Sequence, residues 1–196
     1  MAKVTRRGTI VGDPPIAQFL FSDTRMAWFW LLVRLYAGYE WLIAGTEKLS
    51  NPVWTGSKAG LAITGFAKGA LAKTAGEHPN VAHWYAVFLQ GIVLPHAVVW
   101  SWAITLGEIA VGIGLILGLF TGIAAFFGGL MNANYLLAGT VSTNPILFIL
   151  ATWLVLAWKT AGYLGLDYYV LPLLGTPGRP GRLFGAPPKK IHPLPA

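Results

Sequence analysis

Four ionisable side chains stand inside otherwise apolar stretches of this chain: Arg34, Glu40, Glu108 and Lys159. Arg34 and Glu40 lie within MAWFWLLVRLYAGYEWLIAG (26–45), and Glu108 alone interrupts an uncharged run from Ala97 to Trp158. A charge placed among hydrocarbon is costly, so each such residue calls for a partner, a water-filled cavity or both. An arginine–carboxylate pair in that setting either clasps two helices or polarises and protonates a bound group. At 1.5 Å per helical residue, Arg34 falls roughly 12 Å from one face of the apolar layer and Glu108 about 17 Å from the same face. Asn132 and Asn134 fall at roughly 17–20 Å, and Lys159 at roughly 10 Å. These depths agree within about one helical turn and predict an Arg34–Glu108 pair with hydrogen bonds from Asn132. Arg34, Gly38, Trp41, Gly45 and Lys48 recur at intervals of four and three, which puts them on one helical stripe. Glu40, about 21 Å deep, has Gln90, His96 or Lys48 within reach as a second, outer cluster.

The elements that must carry these residues follow from composition. Only 11% of the 196 residues are charged, against roughly 25% in soluble domains. Together with 55% hydrophobic residues and nine tryptophans, this points to an all-α integral membrane protein. A span needs about 20 apolar residues, and four segments qualify: 26–45, 97–119, 121–139 and 146–166. The third is separated from the second by the turn GLFTG (118–122), and the fourth begins after TVSTNP (140–145). The expected architecture is a four-helix membrane bundle, residues 26–171. One or two interfacial helices are expected between the first two spans, over 58–72 and 81–94, with Pro95 separating the second from the next span. These helices cap the bundle mouth or form a lid over a lipid-soluble substrate. Small residues at Ala110, Gly114, Gly118 and Gly122, and at Ala125, Gly129 and Ala133, predict close helix packing. Trp28, Trp30, Trp84, Trp100 and Trp102 sit near span ends as interfacial anchors.

Charge sets orientation. The net charge is +7. Lys3, Arg6, Arg7 and Arg25 precede the first span; Arg179, Arg182, Lys189 and Lys190 follow the fourth. The positive-inside rule then makes both termini cytoplasmic, in a multi-pass inner (plasma) membrane protein. The basic segment 1–25 does not read as a cleavable signal, and the tail 172–196, with seven of the 13 prolines, reads as an extended cytoplasmic arm. Most of the positive excess is therefore topological, and no nucleic-acid partner is implied. With no cysteine, thiol relays and cysteine-bound clusters are excluded from this chain. The histidines (78, 83, 96 and 192) lack haem or metal spacing, so no metal site and no motif-bound cofactor is expected.

Several stretches carry a family resemblance: RLYAGYEWLIAGTEKL (34–49), FLQGIVLPHA (88–97), GEIAVGIGLILGLFTGIAAFFGGLMNANYLLAG (107–139), TNP (143–145) and GLD (165–167). With them the chain resembles the DoxX superfamily, and within it the DoxD-like membrane subunit of thiosulfate:quinone oxidoreductase. The resemblance implies a four-helix membrane fold associated with quinone-linked electron transfer. Arg34, Tyr36, Trp41, Lys48, Glu108 and Asn132 are the positions matching the family's polar and aromatic residues. On this reading Arg34 and Glu108 are the catalytic pair, and Tyr36, Trp41, Lys48 and Asn132 hold a quinone, the implied substrate. Two function classes remain open: a quinone-linked oxidoreductase subunit, or a non-catalytic accessory or assembly subunit of a larger membrane redox complex. The expected partners are the bilayer and either other redox subunits or further copies of this chain.

Overall fold

The computed structural model describes residues 12–175, together with the backbone of two three-residue strands, β1 (Lys3–Thr5) and β2 (Gly8–Ile10), paired antiparallel. The expected arm from 176 onward lies outside the described residues, as do the side chains of Lys3, Arg6 and Arg7. The rest is helical: α1 (Pro15–Ser22), α2 (Ala27–Leu49), α3 (Leu61–Leu71), α4 (His83–Phe88), α5 (Ala97–Leu117), α6 (Thr121–Leu137), α7 (Asn144–Leu156), α8 (Trp158–Ala161) and α9 (Asp167–Leu173).

The framework is the contact of α2 with α5, which run antiparallel at close range. Gly38 faces Leu115 and Ile116, Gly112 faces Leu42, and Gly45 faces Glu108 and Ile109. A Cβ on Gly112 would stand 2.6 Å from the Leu42 nitrogen, and one on Gly45 2.8 Å from that of Ile109. Missing side chains are thus what lets the two backbones touch, as small residues do between membrane helices. The contact of α5 with α2 runs through Gly112; the predicted row Ala110, Gly114, Gly118 and Gly122 packs elsewhere, with Gly114 against Ala124 of α6, Gly118 against Gly165 and Gly122 against Trp158, while Ala110 lines an open groove. On α6 the expected row does pack: Ala125 is fully buried and Gly129 meets Ala151 of α7. The core between α2, α5, α6 and α7 holds Trp30, Trp41, Val111, Leu115, Ala125 and Leu154.

Four expected boundaries change. Helix α2 runs four residues past the predicted end at Gly45, which brings Lys48 into it. Pro95 does not stop the chain from helical continuation: Leu89–Val93 form a π turn and Leu94–His96 a 3₁₀ turn, making a 35-residue helical run from His83 to Leu117. Proline has no N–H to donate, and widening then tightening the turn on either side absorbs that loss. The backbone leaves helical values at His96 (φ −118°, ψ 31°). The fourth predicted span, 146–166, breaks at Ala157. There the Thr160 hydroxyl donates to Ala157 O (3.1 Å) and Phe21 O (3.0 Å), drawing the chain onto α1. Pro172, placed by the sequence in the unstructured arm, closes α9.

Trp30 is not an interfacial anchor. It is 2% exposed, stacks on Phe21 and donates its indole N–H to Leu20 O at 2.7 Å, fastening α1 under α2. Arg25, just before α2, is paired. Its guanidinium reaches Asp23 at 2.6 Å and holds that carboxyl below the usual carboxylate range.

Outward faces of the long helices carry large apolar side chains. Trp28, Leu32 and Tyr39 on α2, Val99 and Leu106 on α5, Ile123 and Phe126 on α6, and Ile146 and Leu156 on α7 are each more than half exposed. A soluble monomer rarely presents apolar surface on this scale, whereas lipid accepts it. Among the described residues, His83–Leu117 is the one helix long and apolar enough by itself to cross a bilayer; Leu61–Leu71 and Asn144–Leu156 are apolar but shorter. Helix α2 carries Arg34, Glu40, Glu47 and Lys48, and α6 has 17 residues.

Because the α2–α5 contact tolerates no Cβ, Gly112→Val should destabilise the fold by about 2 kcal/mol or more. Gly65→Ala, on α3 where a Cβ meets nothing within 4 Å, should be neutral or stabilising by about 0.5 kcal/mol. Thermal melts of the two variants in one detergent compare them directly.

Candidate functional site

The antiparallel register decides which buried charges meet. Facing pairs Gly38–Ile116 and Gly45–Ile109 put Glu108 level with the last two turns of α2 and Arg34 level with the turn after α5. The predicted Arg34–Glu108 pair therefore does not form. The two helices do not start flush at the same face: α2 begins at Ala27 and projects beyond the end of α5 at Leu117 by nearly three turns, roughly 15 Å. Helices α1, α8 and α9 fill that end.

Glu108, 1% exposed, is bound from both sides. Lys48 donates to Oε2 at 2.7 Å and the Tyr135 hydroxyl donates to Oε1 at 2.8 Å. The Lys48 side chain is 20% exposed, and its ammonium lies 5.1 Å from the centre of the Trp54 ring. The group thus runs from the molecular surface at Lys48, through a buried carboxylate, to a phenol in the interior. Asn132, fully buried on the same face of α6 one turn before Tyr135, has neither amide atom hydrogen-bonded.

Tyr135 also borders a cavity of about 240 Å³. Its walls include Phe66 of α3, Tyr85 and Phe88 of α4, Leu89 and Val93 of the π turn, and Trp100 of α5. Asn134 and Tyr135 are its polar end, where the Tyr85 hydroxyl donates to Asn134 O at 3.0 Å. The α3 and α4 helices, predicted between the first two spans, therefore wall this cavity. They pack through a separate core of Ile63, Ala67, Val81, Tyr85, Leu89 and Ala138. A π turn in a cavity wall is a recurrent feature of functional sites.

Arg34 belongs to a different structure. Its guanidinium, 1% exposed, donates to Leu164 O at 3.0 Å while Nε and Nη1 have no partner. It packs flat against Gly118 and Gly165, where a Cβ on either would land on it. Asp167, within Coulombic reach, accepts from Phe120 N (2.6 Å) and Thr121 N (2.8 Å), capping α6. The positive Arg34 stands at the negative end of the α5 dipole and Asp167 at the positive end of α6, both favourable placements. The arrangement holds the α5–α6 turn, in which Gly118 and Phe120 adopt positive φ (64° and 49°).

The other predicted residues are dispersed. Trp41 is buried in the four-helix core, and Tyr36 is 47% exposed on the outer face. Glu40 is half-buried while Gln90 and His96 are exposed, and no hydrogen bond joins the three. Lys159 is exposed beside the Trp158 ring. Among the described residues no three His, Asp or Glu side chains gather as metal ligands. The residues that sequence reasoning missed are Tyr135 and Asp167. A signal for Tyr135 existed: a tight turn at 118–120 places Glu108 opposite the middle of α6, and a helical side chain leans back one turn toward its N-terminus.

Exposed apolar helices around a buried ion pair define a helical membrane protein. The DoxX family model matches residues 29–140, more than half the chain. The chain belongs to the DoxX family. No curated protein and no solved structure matches it.

Removing Lys48 alone leaves Glu108 buried with a phenol as its one remaining partner. Lys48→Met should destabilise by about 3 kcal/mol, and the double variant Lys48→Met/Glu108→Leu should recover most of that loss. Chemical denaturation of the wild type, single and double variants completes the cycle.

Proposed function

We propose that this protein is a membrane subunit of a quinone-linked oxidoreductase, of the thiosulfate:quinone type, in which the aromatic cavity takes the quinone ring. The observation that carries the reading is the position of Tyr135: one side chain is both cavity wall and hydrogen-bond donor to Glu108. Reduction of a quinone to a quinol consumes two electrons and two protons. Lys48, one-fifth exposed, connects the surface to Glu108, and Glu108 connects to the Tyr135 hydroxyl. Tyr135 turns its hydroxyl proton to a quinone oxygen at the polar end of the cavity, beside Asn134, and takes one back from Glu108, which Lys48 and surface water reprotonate; two such turns supply both protons. Asn132, with both amide atoms free, supplies a further hydrogen bond in the interior. Electrons come from thiosulfate or from a partner redox subunit, because a chain without cysteine holds no thiolate-bound centre.

In this reading α2, α5, α6 and the α7–α8 pair are the four spans, in a plasma membrane with both termini cytoplasmic. The Lys48 end of α2 then faces outward. Arg34, assigned above by sequence to catalysis, becomes a positioning residue for the α5–α6 turn.

The test is thiosulfate-dependent reduction of a water-soluble quinone by the purified chain, with folding checked by circular dichroism. Glu108→Gln and Tyr135→Phe should lower kcat by about a hundredfold or more while leaving the fold intact. A wild-type protein that is inert alone and co-purifies with a large redox complex would overturn catalysis in this chain and establish the accessory role.

A further inference from the structure

Helices α5 and α6 diverge on their outer side into a groove of about 710 Å³. One wall is α5 with Ala103, Gly107, Ala110 and Gly114; the other is α6 with Phe127 and Leu130. The small side chains of α5 leave room between its larger ones, Trp100, Ile104 and Ile113, and the α6 wall, and no charged side chain lines the trough. Trp100, Ile104, Leu130 and Met131 line both this groove and the interior cavity beside Tyr135. The partition between the two spaces is thus a single layer of side chains, and one of them is an unbranched, adaptable methionine.

We infer that groove and cavity form one elongated site, in which a lipid-borne quinone places its ring at Tyr135 and its apolar tail along α5 and α6. The inference rests on the quinone reading and adds the substrate class: long-tailed, membrane-dissolved quinones bound through head and tail together. The polarity of the two spaces fixes the direction. Tyr135 and Asn134 mark the head end, and the groove, apolar throughout, lies on the face that meets lipid. Entry from the bilayer then needs no aqueous path. Met131 is the side chain that shifts, since it lines both spaces and stands over Gly107, 3.5 Å from where a Cβ there would lie. A bilayer acyl chain also fits an apolar trough, but its polar headgroup stays at the membrane interface, whereas a quinone ring matches the aromatic cavity with Asn134 and Tyr135 at its end.

The experiment uses the full chain in nanodiscs of one defined lipid and two benzoquinones sharing a head, one tail-less and one with a decyl tail. Binding is read by tryptophan quenching in the wild type, Gly107→Leu, Ala110→Phe and Tyr135→Phe. Each compound is compared across variants, so its partition into lipid cancels. Filling the groove should weaken the decyl compound about tenfold, equivalent to one or two methylenes losing burial, and leave the tail-less one unchanged. Tyr135→Phe should weaken both. If both compounds bind the wild type but neither groove variant affects the decyl one, the groove holds lipid only, and the tail subsite falls while the quinone reading stands. An equal loss for both compounds in Ala110→Phe, whose position does not line the cavity, likewise overturns a separate tail subsite. If neither compound binds the wild type, the quinone reading fails and the inference fails with it.

Discussion

The close approach of α2 and α5 is the contact on which the remaining structure depends. Gly38, Gly45 and Gly112 remove the side chains that would hold the two backbones apart. In lipid, helices gain little from the hydrophobic effect when they associate, so tight packing and buried polar contacts carry more of the work. Once that register is set, the polar contacts follow. Lys48 on the last turns of α2 is carried to Glu108 in the middle of α5, and Arg34 is carried to the turn beyond α5's end. A slip of one turn, about 5.4 Å, would part Lys48 from Glu108 and drive Arg34 into helical backbone. Packing and electrostatics therefore specify the same register, which is the consistency expected of a sequence with one native structure.

The two buried charges solve the same problem in different ways. Arg34 is neutralised by geometry: a helix C-terminus, a backbone carbonyl and a nearby carboxylate that is itself occupied with capping α6. Every part of that arrangement is used to hold chain segments 118–122 and 162–167 together, and little of it faces a cavity. Glu108 is neutralised by side chains from two other helices, one of which reaches toward the surface and the other toward an empty space. Fixed clasps favour the first design. A group that must exchange protons requires the second, because its partners need a route outward and a place to deliver.

How far the sequence revealed this follows from what each signal measures. Apolar runs located α2, α5 and α6 within a few residues, since burial and lipid exposure both favour long uncharged stretches. The polar stripe Arg34–Gly38–Trp41–Gly45–Lys48 was visible from helical spacing alone, and all five of its members face inward or toward a buried partner. What spacing could not supply was the relative stagger of two helices joined by a connection of about 47 residues. The Arg34–Glu108 pairing failed on that point, while the α5–α6 register, fixed by a three-residue turn, was within reach and would have shown Tyr135. Asp167 was hidden for a related reason: its role depends on the chain breaking at Ala157 and returning beneath α6, and an unbroken apolar run gives no sign of a break made by one threonine hydroxyl.

The segment between α2 and α5 shows why such a long connection is retained. A bundle that needed only to clasp its helices would close this gap with a few residues, the usual length between antiparallel neighbours. Here the chain instead builds α3 and α4, gives them a small core of their own, and lays them over the polar end of the bundle. It places Trp54 against the Lys48 ammonium and Tyr85 against Asn134, and it forms a π turn in the cavity wall. Tyr85 and the π turn line the cavity beside Tyr135, away from the α2–α5 contact. The extra chain length is thus spent on enclosing a cavity, with the Tyr135–Glu108–Lys48 hydrogen-bonded chain at its edge.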